Sequence, residues 1–136
     1  MVVKSQDDIK KLSEMIRRLP FYSAFRSVLI EFDIRKERLA ADCCFSISNL
    51  YHYCSGDSEP TKRTLILIAL MARFPAEISD GLMYSLGVQL NDSAEDQFFA
   101  RLLASSQAMT IYELNSRIKD ENQSLGEDVI PLYKVW

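Results

Sequence analysis

The chain has 136 residues, 48% of them hydrophobic, with only four Gly and four Pro and a net charge of −3. That length suits one compact domain or a core with a short appendage, and the apolar content argues against wholesale disorder. Few turn formers disfavour an all-β fold, and no apolar run approaches the roughly 20 residues that span a bilayer. The opening MVVKSQDDIKK lacks an apolar signal core, so a cytoplasmic protein without membrane association is expected.

Charge is spread unevenly. Residues 1–20 carry five Lys/Arg against three Asp/Glu, net +2; residues 21–73 carry seven against six, net +1; residues 74–136 carry four against ten, net −6. The front is less basic than most dedicated DNA-binding domains. The acidic rear fits a part that faces away from nucleic acid or meets a protein. The cysteines, Cys43, Cys44 and Cys54, form an odd set with no disulfide-framework spacing, and the single histidine is His52. Without paired CxxC spacing no metal is expected, nor any cofactor, and half-buried thiols are the simpler reading.

In chain order, Ser5 followed by Asp8 resembles a capping box with Asp in place of Glu. Ile9, Leu12, Met15, Ile16 and Leu19 recur at helical spacing, predicting an amphipathic helix over 6–19 that Pro20 ends. Its polar face carries Lys10, Lys11, Arg17 and Arg18. A second helix is expected over 23–32, with Phe25, Val28, Leu29 and Phe32 inward, then a turn at Asp33 and Ile34. A short third helix over 35–43 buries Leu39, Ala40 and Cys43. Ser46 N-caps the fourth, which Gly56 stops in the left-handed conformation. Two short helices so joined read as a helix-turn-helix.

Thr61 caps a helix through Arg73 that is apolar on nearly all sides, as befits a central helix. Pro75 sits at the start of the next, with Gly87 as its stop. Ser93 opens another, with Phe98, Phe99, Leu102 and Leu103 inward, and Thr110 with Glu113 forms a true capping box for the last. The tail from Val129 to Trp136 contains Pro131 and β-branched and aromatic residues, so it should be extended. It either straps back onto the helices or docks on another subunit. The organisation expected is an N-terminal helix (1–20), a helix-turn-helix core (21–90), and a helical extension with its tail (91–136).

From about Phe25 to Leu90 the chain resembles the phage-repressor-like (Xre) helix-turn-helix family. Leu39 and Ala40 match its Leu-Ala pair, Phe45 and Ser46 its Val-Ser start of the recognition helix, and Leu50 and Tyr53 its next apolar positions. Gly56 closes that helix and Pro60 precedes the following one, with no insertion. With the tyrosine-rich YHYCSG and the Tyr112-Glu113-Leu114-Asn115 run, the chain is similar to a subgroup of small bacterial regulators over about residues 25–125. The resemblance implies an all-α protein with a five-helix lambda-repressor-like core, one helix before it and two after it.

It also implies a sequence-specific, dimeric DNA-binding regulator; no enzyme is expected, because His52 has no Ser or Cys partner at a diagnostic motif and there is no Gly-rich phosphate loop. Ile47, Ser48, Asn49 and His52 would meet base edges, while Arg35, Lys36, Tyr51, Lys62 and Arg63 would meet phosphates. Asn can bridge adenine, Ser can bond either base type and Ile can touch a thymine methyl, so the site should lean A·T-rich. Three departures stand out: Ile47 where Gln or a basic residue is common, Lys36 where Gln is common, and Cys44 where the turn usually has Gly. The alternative is a protein-interaction module that keeps this fold without DNA, using Ile47, Tyr51 and His52 as a contact patch. A protein partner could then meet the acidic C-terminal helices or the tail.

Overall fold

The computed structural model describes residues 3–105 and 107–135. Among them are eight α-helices and no strand: α1 (Gln6–Ile16), α2 (Phe21–Glu31), α3 (Lys36–Cys43), α4 (Ile47–Ser55), α5 (Lys62–Ala72), α6 (Ala76–Leu86), α7 (Ala94–Ser105) and α8 (Ile111–Leu125). No helix among the described residues is long and apolar enough to cross a membrane.

The helix starts follow local chemistry closely. Ser5 Oγ accepts from Asp8 N–H at 3.2 Å, and Asp8 Oδ2 reaches back to Lys4 N–H at 3.0 Å. Thr61 Oγ1 accepts from Thr64 N–H, and Thr110 and Glu113 close the reciprocal capping box. Two boundaries differ from the periodicity reading by more than one residue. Helix α1 stops at Ile16 rather than Leu19, and α2 starts at Phe21 rather than Ser23.

One physical cause covers both shifts. Pro20 has no N–H to give α1, but its carbonyl accepts from Ser23 and Ala24, making it the N-cap of α2. The freed carbonyls at the end of α1 find a side chain instead. Ser85 Oγ lies 2.6 Å from Ile16 O and 3.0 Å from Leu19 O, so its one hydroxyl proton serves two acceptors.

Helix α5 is the centre of the packing. Every residue from Leu65 to Met71 is buried, which an amphipathic surface helix cannot achieve. It lies against α3 and α6 and also against α7. Fully burying each Leu or Ile of this run stabilises by about 1.5–3 kcal/mol. One cluster of buried apolar residues runs from Leu12 in α1 to Tyr133 in the tail, so the three segments distinguished in the sequence share a core.

Helix α1 packs on α6 and α2. The approach to α6 is close at Gly81, where a Cβ would stand 2.7 Å from Ile16 Cδ1. The tail straps back onto the helices through Val135, burying Ile130 and Tyr133; Trp136 lies outside the described residues.

Helices α3, α5 and α6 all stop in the left-handed conformation, but only α6 does so on a glycine. Cys44 (φ 57°) and Arg73 (φ 59°) accept the steric cost of a Cβ there. Arg73 is exposed, so little packing is lost on removing its side chain. Arg73→Gly is therefore expected to stabilise the protein by about 1 kcal/mol in urea unfolding. A loss of stability would show that the arginine side chain matters more than its backbone strain.

Candidate nucleic-acid interface

Helices α3 and α4 are joined by three residues, Cys44, Phe45 and Ser46. Cys44 turns the chain, Phe45 N–H returns to Ala40 O at 3.2 Å, and Ser46 Oγ accepts from Ser48 N–H at 3.3 Å. Leu39, Ala40, Cys43, Leu50 and Cys54 are buried between the two helices and their neighbours, which fixes the outward face of α4.

That face presents Ser48, Tyr51, His52 and Ser55, all exposed and spaced at helical intervals. Asn49 is half-buried. Ile47 is half-buried as well and packs against the core, so less of its side chain is offered to a thymine methyl. His52 has an acidic neighbour, with Nδ1 3.4 Å from Asp57 Oδ2.

The cations divide into two groups. Lys36 and Arg35 stand at the start of α3, and Lys36 Nζ lies 5.4 Å from the centre of the Tyr51 ring. This contact ties the first turn of α3 to the exposed face of α4. Arg26, on α2, is a further member that periodicity did not single out. Its guanidinium is 5.9 Å from the Tyr22 ring, and Tyr22 packs against Gly56, where a Cβ would be 3.1 Å from the ring. Burial pushes the Cys54 thiol up from its ordinary value, with Lys36 and Arg26 pulling the other way. The signal was an exposed Tyr-Arg pair four residues apart on an otherwise apolar helix.

Lys62 and Arg63 have partners inside the protein. Lys62 Nζ meets the buried carboxylate of Asp96 at 2.8 Å, and Asp96 also accepts from Asn91 N–H at 2.8 Å. Arg63 Nη1 donates to Glu95 at 3.2 Å and Nη2 to Pro131 O at 2.9 Å, while its guanidinium covers the Tyr133 ring at 4.2 Å. Glu95 and Asp96 lie in the first turn of α7 and the tail follows α8, so these interactions join parts distant in sequence. No sequence signal pairs them, because nothing in the spacing says which carboxylate will face which cation.

A cleft of about 510 Å³ opens on another side of the α3–α4 turn, bordered by Arg38, Asp42, Cys44, Arg73, Met109 and Tyr112. Its arginines are matched by the carboxylates of Asp42 and Glu113. Among the described residues no three His, Cys, Asp or Glu side chains are grouped to hold a metal ion. Comparison with known proteins finds no matching family model, no similar curated protein and no similar solved structure.

Two measurements probe this arrangement. Lys62→Ala leaves the carboxylate of Asp96 buried with one charge partner fewer, and should cost about 1–3 kcal/mol of stability. Removing a cation that only faces solvent should move stability by about 0.5 kcal/mol or less, so denaturant unfolding separates the two roles. The thiols give a second readout. Burial, helped by the Asp42 carboxylate, pushes the Cys43 thiol far up, so it stays protonated at neutral pH. A thiol reagent should therefore modify half-buried Cys44 first in the native protein, with Cys43 reacting only on unfolding; equal rates would contradict the packing of α3.

Proposed function

We propose that this protein is a sequence-specific binder of double-stranded DNA that acts as a transcriptional regulator. Helix α4 of a lambda-repressor-like helix-turn-helix core would serve as its reading element. The observation that carries the reading is the α3–α4 unit: a three-residue turn, a Ser46 cap, a buried inner face, and a polar outer face of Ser48, Tyr51 and His52. Lys36, held over Tyr51, and Arg35 would supply the phosphate anchors beside a helix laid in a major groove. Arg26 adds a third cation, beside the Tyr22 ring that packs on Gly56 at the end of α4.

Base reading would fall to Ser48, Asn49 and His52, with Ile47 offering an apolar edge, and would lean toward A·T pairs for want of a guanine-reading Arg or Lys on α4. Three cations per chain give a small electrostatic term, so two copies on a two-fold site would be needed for useful affinity. Their recognition helices would then be about 34 Å apart.

A second reading is favoured by one specific observation. The carboxylate of Asp57 beside His52 and the internal engagement of Lys62 and Arg63 leave α4 less positive than a phosphate surface usually is. On that reading the same face of Ile47, Tyr51 and His52 would meet a protein. Selection from a random duplex library at low salt decides between them. The DNA reading expects enrichment of an A·T-leaning site, and Lys36→Ala should weaken all sequences alike while lowering the salt slope by about one per copy. Absence of salt-dependent binding to any duplex would sink it.

A further inference from the structure

The C-terminal segment is held in a way that its burial alone does not explain. It runs antiparallel to α8, and two asparagines on that helix grip its backbone. Asn122 Nδ2 donates to Ile130 O and its Oδ1 accepts from Ile130 N–H, both at 2.9 Å. Asn115 does the same for Tyr133, at 2.9 and 2.8 Å. Each side-chain amide thus satisfies both backbone groups of one strap residue, as a site for an extended peptide does.

The apolar part of this grip is confined to two side chains. Ile130 and Tyr133 turn inward, but Val129, Leu132 and Val135 are 40%, 47% and 39% exposed. The segment leaves α8 through Gly126 in the left-handed conformation and the exposed Glu127 and Asp128. A strap held by four asparagine hydrogen bonds, those of Asn122 buried, and by two inward side chains makes far fewer contacts than a core helix and opens more readily than one.

What it covers is Arg63. Tyr133 lies under the guanidinium and its hydroxyl donates to Arg63 O at 2.7 Å. A phosphate is held best by both arms of a guanidinium fork. Here one arm is on Glu95 and the other on Pro131 O. We propose that residues 129–135 are a displaceable strap that masks Arg63, and that lifting the strap presents Arg63 to a DNA phosphate. This rests on the DNA-binding reading above. Once the strap is off, Arg63 keeps the Phe99 ring at 6.0 Å and Glu95, a partly exposed pair that solvent screens and a phosphate can replace. Because coupling is reciprocal, DNA would in turn loosen the strap.

The test uses the full chain carrying Asn115→Ala with Asn122→Ala, and follows amide hydrogen exchange in 129–135 alongside duplex affinity across salt. Faster exchange confined to the strap is expected, with about three- to tenfold tighter binding and a salt slope steeper by about one per copy. Adding Arg63→Gln should abolish the gain. Should the double variant not fold, Tyr133→Phe, which removes only the hydroxyl bond to Arg63 O, should give a smaller change of the same sign. A released strap with unchanged affinity and slope would overturn the proposal and leave the DNA reading intact. A strap that stays protected would overturn it too, by showing that the asparagines do not hold it. If neither wild type nor variant binds any duplex, the DNA reading itself falls.

Discussion

A helix buried on every side must be surrounded, and that requirement at α5 shapes the rest of this protein. From Leu65 to Met71 there is no stripe that can face water. The helices α3 and α6 cover only part of its circumference, and α7 closes much of the remainder. The helices after residue 90 are therefore no loose addition to a core that could stand without them. They supply the second wall of the same hydrophobic interior.

This constraint reaches the candidate interface directly. The start of α5 follows α4 by one short loop, which puts its cations, Lys62 and Arg63, close in sequence to that helix. Covering α5 with α7 and the tail brings Asp96, Glu95 and Tyr133 against those same residues. One charge is then taken by a buried carboxylate, where it offsets a desolvation cost, and the other by a partly exposed network. The cations around α4 that remain outward, Arg35, Lys36 and Arg26, come from α2 and α3, whose own burial asks nothing of their charged ends.

Local chemistry made much of the fold legible. Ser46, Thr61 and the Thr110–Glu113 box fixed helix starts, Gly56 and Gly87 fixed stops, and the unbroken apolar run of α5 identified the central helix. Pro20 was legible as a boundary but not as the cap of the following helix, because that depended on Ser85 being present to take the carbonyls α1 left open. At the interface, the order of residues gave the outward face of α4 but not the fate of the neighbouring cations. Lys62 and Lys36 look alike in sequence; one is paired with the buried Asp96 and the other lies over Tyr51. That difference is set by tertiary contacts between residues tens of positions apart, and periodicity carries no information about them.

The seam between α1 and α6 has a consequence for the order in which the chain can fold. Ser13 Oγ donates to Glu77 O across 64 residues, and Ser85 reaches Ile16 O across 69. The apolar stripe of α1, with Leu12 and Ile16, can meet α2 early but is not covered until α6 exists. During synthesis the first helix to emerge must therefore wait through the making of five others before its site on α6, cleared by Gly81, is there to receive it. Closing so long a loop is entropically the slow part of such a fold. Helix α1 is thus among the last parts of this fold to be finished.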